Sequence, residues 1–113
     1  MKDDSERLRH LLEAIDRIER YVARGRSAFD TDELVQTWIV YHLQIVGEAA
    51  RKTSKELKKD HPEVPWAEVI ATRNVLVHDY VEIDLPSVWD IVTRDLPALR
   101  QQIEALLKIL SDH

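Results

Sequence analysis

Leu34-Val35-Gln36-Thr37-Trp38-Ile39-Val40-Tyr41-His42-Leu43-Gln44-Ile45-Val46-Gly47 is the stretch that decides how this chain folds. Leu34, Trp38, Tyr41 and Ile45 fall on one helical face, and Val35, Ile39, His42 and Val46 fall on its neighbour. Val40, Leu43 and Gly47 carry apolar character further round the axis. A helix that is apolar on most of its circumference is buried on most of it. In a chain of 113 residues one side is expected in the domain core and another against a second subunit, with Gly47 allowing close backbone approach at that contact. Asp30 followed by Glu33 has the form of a capping box, so this helix is predicted to begin near Asp30 and run to about Leu57.

The flanks read the same way. Leu8, Leu11, Leu12, Ile15, Ile18 and Val22 give one apolar stripe from about Asp4 to Ala23, and Gly25 is suited to end that helix. After a turn at residues 59–63, Pro65 suits the first turn of a third helix that carries Trp66, Val69 and Ile70 and frays near His78. Residues 81–84 form a short connection; Asp84 can cap a fourth helix with Pro86 in its first turn, and Pro97 should kink or break it. Two glycines and four prolines leave few other breakers. The expectation is an all-α, up-and-down bundle of four to five helices forming one domain over residues 1–113.

Composition removes several function classes. The absence of cysteine excludes disulfides, thiolate metal sites and cysteine nucleophiles. The charged N-terminus has no signal-peptide core, and the most apolar run, Trp38 to Val46, is too short to span a bilayer, so a soluble, cytoplasmic protein is expected. A net charge of -5 argues against nucleic-acid binding overall, yet Arg51, Lys52, Lys55, Lys58 and Lys59 cluster with Glu56 as the sole acid among them. That cluster reads either as a solvated helix end or as a patch that steers RNA. His10, His42, His61 and His113 show no paired metal spacing, no cofactor site is evident, and Trp38, Trp66 and Trp89 fall on apolar stripes as core residues do.

The chemistry concentrates in Thr72-Arg73-Asn74-Val75-Leu76-Val77-His78-Asp79-Tyr80. Asn74 and His78 are four apart on one helical face. Arg73 and His78 lie roughly 140° apart around a straight helix, so they converge only if the helix ends near His78. These residue types suit RNA cleavage through its own 2′-hydroxyl. Histidine moves protons near neutral pH, the planar fork of arginine fits phosphate oxygens, and Asn74 can orient either His78 or the phosphate. No metal is required for that chemistry. Each residue also has an ordinary structural use: Arg73 in a salt bridge to Glu48 or Asp79, His78 at a helix end, Tyr80 as a packed aromatic. Glu48 reads equally as the partner that orients Arg73 and as a helix-surface acid.

Gly47-Glu48-Ala49-Ala50, Pro65-Trp66, Arg73-Asn74 through His78-Asp79-Tyr80, and Leu85 to Leu99 with Trp89 and Pro97 form an ordered set of motifs. In that order the chain resembles the HepT-type branch of the HEPN superfamily. The resemblance implies a HEPN-like homodimeric toxin, in which Arg73 and His78 of both subunits line a cleft that cuts RNA. It implies a minimal nucleotidyltransferase antitoxin as partner, able to transfer AMP to the tyrosine two residues after the histidine, here Tyr80. The alternative is a catalytically silent HEPN module that dimerises and docks a nucleotidyltransferase partner.

Overall fold

Asp32, rather than Asp30, starts the central helix. The computed structural model describes residues 2–78 and 84–112, with the side chains of residues 3–73 and 84–112. Helix α1 spans Lys2–Val22 and the short α2 spans Arg26–Thr31, with Gly25 between them at a φ of 92° that side chains rarely adopt. Asp30 lies inside α2, so its capping box with Glu33 does not form. The extended backbone of Asp32 instead turns its carboxylate onto the Leu34 N–H at 2.9 Å and opens α3, Glu33–Lys52. Phe29 anchors α2 in the core, where sequence periodicity alone gives no reason to expect a separate helix.

The far end of α3 also differs from expectation, stopping at Lys52 rather than near Leu57. Thr53 turns extended and donates its hydroxyl to the Ala50 carbonyl at 2.6 Å. Ser54 then caps α4, Lys55–Asp60, by accepting from the Leu57 N–H at 3.1 Å. Ser54 is held from the other end of the chain. The buried Asp4 accepts from its backbone N–H at 2.8 Å and from its hydroxyl at 2.7 Å. The break is therefore set by a residue fifty positions away, which no local pattern reveals.

Helix α5, Trp66–His78, follows Pro65, whose carbonyl accepts from the Val69 N–H. Asp84 caps α6, Leu85–Asp90, as expected. The break expected at Pro97 takes the form of a π-helical turn at Ile91–Asp95, after which α7 runs over Leu96–Ser111. Proline has no N–H and its ring crowds the carbonyl four residues back, here Thr93. Widening the preceding turn, so that the Leu96 N–H bonds to the Ile91 carbonyl, relieves that conflict without ending the helix. The described residues thus form seven α-helices and one π turn. The four expected helices survive as four long runs (α1, α3, α5 and α6 through α7), with α2 and α4 as short additions.

Helix α3 packs mainly on α1 and α5, and α7 closes against α1. Leu8, Leu11, Ile15 and Ile18 meet Ile39, Leu43, Ile103 and Leu106 in one buried cluster. Arg100 of α7 pairs with Glu19 and Asp16 across the α1 seam. The half-buried Trp38 of α3 packs against the core and donates its indole N–H to the Arg17 carbonyl of α1 at 2.9 Å. Leu34 and Tyr41, on one face of α3, are 81% and 58% exposed in the single chain. Among the described residues no helix is long and apolar enough to cross a membrane.

Replacing Asp4 by alanine removes both acceptors of Ser54 and strands a partly buried N–H. Urea unfolding should show a loss of about 1–3 kcal/mol, the usual cost of an unpaired buried polar group. An unchanged midpoint would show that the α3–α4 break does not depend on Asp4.

Candidate functional site

Gly47 brings two helices together within one chain rather than between two. A Cβ built there would stand 2.6 Å from the Arg73 Cβ and 3.2 Å from both the Arg73 nitrogen and the Val69 carbonyl oxygen. The expected close approach is real, but its partner is α5 of the same chain. The reason is facial: Gly47 lies on the inner side of α3, against α5, and not on the Leu34–Tyr41 face that remains exposed.

Because the helices touch at this point, the residue after Gly47 reaches the residue that Gly47 accommodates. Oε2 of Glu48 lies 2.5 Å from Nε of Arg73. The same carboxylate accepts from Nη2 of Arg51 at 2.7 Å and lies 3.8 Å from Nζ of Lys52. Helical spacing of three and four residues explains the second and third contacts. Only tertiary packing explains the first. Glu48 is partly exposed, so it pairs with Arg73, as one sequence reading has it, without being buried. The hydrogen bond from Arg51 does most to hold its carboxyl below the ordinary value of 4.5; partial burial opposes this, and the charges of Arg51, Arg73 and Lys52 add to it. Glu48 is therefore an anion at neutral pH, and it fixes where the Arg73 guanidinium sits. A guanidinium anchored in this way is suited to planar recognition of phosphate oxygens.

The remaining sequence candidates divide between structural roles and residues that are not described. His42 is buried, and its Nδ1 donates to the Trp38 carbonyl at 2.8 Å, a contact that only a protonated Nδ1 can make with a carbonyl. His61 pairs with Glu63 at 3.1 Å, and the Trp66 indole donates to the His61 carbonyl. The backbone of α5 continues through Asn74 to His78, but the side chains of Asn74 and His78 lie outside the described residues, as do Asp79 and Tyr80 entirely. The expected convergence of Arg73 and His78 therefore lies outside the described residues. Among the described residues no three His, Asp or Glu side chains converge as a metal site would need. A groove of about 390 Å³ opens over Val46, Val69, Ile91 and Leu99, and neither Glu48 nor Arg73 lines it.

Two effects compete in Gly47→Ala. Alanine favours a helix by about 1 kcal/mol over glycine, whereas overpacking a tight contact costs about 1–3 kcal/mol. The contact at 2.6 Å involves a Cβ rather than a flexible side-chain tip, with backbone behind it. Overpacking should win, lowering the midpoint of thermal unfolding and moving Arg73 away from Glu48. A raised midpoint would show that α5 yields at no cost.

Comparison with known proteins bears on what such a site is for. Residues 11–106 match the family model described as Ribonuclease HepT-like. The "Probable ribonuclease HepT" of Thermococcus cleftensis is 33% identical over 102 residues, covering 89% of this chain and 93% of that protein. A candidate RNase of Caldanaerobacter subterraneus subsp. tengcongensis is 29% identical over 109 residues, covering 96% and 97%. A Methanocaldococcus jannaschii protein named as a gamma-glutamylcyclotransferase and candidate RNase is 31% identical over 112 residues. The alignment takes in 98% of this chain but 49% of that relative, so the chain spans about half its length. No solved structure matches the chain. The family match covers most of the chain and includes α3, α5 and the Glu48–Arg73 pair between them, so the chain belongs to the HepT-like family.

Proposed function

We propose that the chain is a toxin that cleaves RNA as a metal-independent endoribonuclease, with Arg73, His78 and Asn74 as its catalytic group. The observation that carries this reading is the Arg73 guanidinium anchored by Glu48 at 2.5 Å, on the same helix as His78, at which α5 ends. Relatives of similar length that are named as ribonucleases support it. In the proposed reaction the 2′-oxygen loses its proton and attacks the adjacent phosphorus. The bond from phosphorus to the 5′-oxygen breaks, and that oxygen leaves with a proton. His78 is the proton carrier, Arg73 offsets charge on the phosphorane-like transition state, and Asn74 orients His78 or the phosphate. Asp79, next to His78 in the sequence, is the proposed supporting residue.

The active form in this reading is a homodimer. The exposed Leu34 and Tyr41 on α3 support it, being apolar surface that one chain leaves uncovered. A minimal nucleotidyltransferase antitoxin is the proposed partner, and AMP transfer to the Tyr80 hydroxyl is the proposed means of neutralisation. An adenylyl phosphate two residues beyond His78 would compete for the guanidinium that RNA needs and would repel the RNA backbone.

Purified protein should cut single-stranded RNA in the presence of EDTA and leave 2′,3′-cyclic phosphate ends. His78→Ala and Arg73→Ala should each lower kcat by about 10²-fold or more, the usual scale for a lost acid–base or charge-stabilising group, with unchanged thermal unfolding. Activity that requires an added divalent ion, or that survives His78→Ala, contradicts the assignment. A folded dimer that cuts nothing and still binds the nucleotidyltransferase would favour the silent docking module.

Incubation with the cognate nucleotidyltransferase and ATP should add adenylyl groups that peptide mass spectrometry places on Tyr80. Tyr80→Phe should remain active and escape neutralisation. Modification at Tyr21 or Tyr41 instead would overturn the regulatory proposal.

A further inference from the structure

The cluster around Glu48 holds more positive charge than one phosphate requires. Arg51, Lys52 and Arg73 place three cations on one carboxylate, leaving two positive charges in excess at a single spot on a chain whose net charge is -5. The other lysines of this segment have different surroundings. Lys58 donates to the Arg51 carbonyl at 2.9 Å, closing the C-terminal end of α3, and burial holds its ammonium below the ordinary lysine range. Arg51 and Lys52 make no such cap. Their side chains turn back along α3 toward Glu48 and remain 51% and 45% exposed. Capping of the helix end accounts for Lys58, but it does not explain why Arg51 and Lys52 gather on the carboxylate that also pairs with Arg73.

We infer that Arg51 and Lys52 form a second phosphate subsite beside Arg73, which grips a phosphate flanking the one that is cut. Cations that share one carboxylate stand only a few ångströms apart, the scale on which phosphates follow one another along a single strand. Glu48 keeps them in register and prevents the cations from driving each other apart. The subsite is electrostatic and makes no base contact, so it selects for strand length and not for sequence. It also reconciles an acidic protein with an RNA substrate, because the strand needs positive charge only along the track that it follows. This inference rests on the ribonuclease reading above and adds a length requirement to it.

The test uses the full chain and short RNAs built around a step that the wild-type protein cuts in a longer strand. One substrate is the dinucleotide with its single phosphate; the other is the tetranucleotide, which adds a phosphate on each side. In the wild type the tetranucleotide should exceed the dinucleotide in kcat/KM by at least about tenfold, chiefly through KM, as expected for uniform electrostatic binding. In the Arg51→Ala, Lys52→Ala double variant that ratio should fall to within about twofold of one. Arg51→Lys should retain most of the gain, because the subsite acts through charge. The slope of log KM against log salt for the tetranucleotide should flatten by about 0.7 in the double variant, the change for one lost single-strand phosphate contact. Lys108→Ala, a change to an exposed lysine on α7, should alter neither readout. A double variant that unfolds at the wild-type temperature yet keeps the full length ratio and salt slope overturns the inference. If the double variant unfolds early, Arg51→Gln and Lys52→Gln taken singly must each lower the ratio, and an unchanged ratio in both overturns it equally. A wild-type protein that cuts no RNA is a failure of the ribonuclease reading itself and is recognised before any variant is compared.

Discussion

The missing side chain at Gly47 is the constraint on which the site depends. Helices that pack through ordinary side chains keep their axes about 8–10 Å apart. At Gly47 the backbone of α3 meets the backbone of α5 at Val69 and Arg73, with no room for a methyl group. Glu48 follows directly and extends toward α5, so a short carboxylate reaches the guanidinium base of Arg73. A wider gap between the helices would leave Glu48 to Arg51 and Lys52 and remove its contact with Arg73.

Stability and site geometry have different sources in this molecule. The apolar cluster of α1, α3 and α7, with Leu11, Ile39, Leu43 and Ile103 at its centre, supplies most of the burial. Partly exposed ion pairs such as those on Glu48 contribute little to stability, typically about 0–1 kcal/mol. What the Glu48 cluster adds is placement. Its carboxylate sits on a helix whose opposite side is locked in the core, and a rigid support of this kind keeps a charged group at a defined position. The Asp4–Ser54 contact serves the same end from the other direction, stopping α3 directly after Arg51 and Lys52 and turning the chain into α4.

The sequence by itself determined the helical class, the stripes that make the core, the caps at Asp84 and Gly25, and the residue types of the candidate site. These are local properties. Apolar spacing, cap chemistry and proline geometry act over three to five residues and can be read wherever they occur. Even Pro97 disclosed its disturbance, although whether a proline breaks a helix or widens the turn before it depends on what packs around that turn. The tertiary structure alone decided where α3 begins and ends, because Asp32 wins over Asp30 once Phe29 anchors α2, and Ser54 is held by Asp4 from fifty residues away. It also decided that Gly47 faces Arg73 rather than a second subunit, and that Glu48 is shared by three cations. A glycine on an apolar helix announces that something comes close, but its identity is fixed by how the helices cross, and that is a property of the whole core.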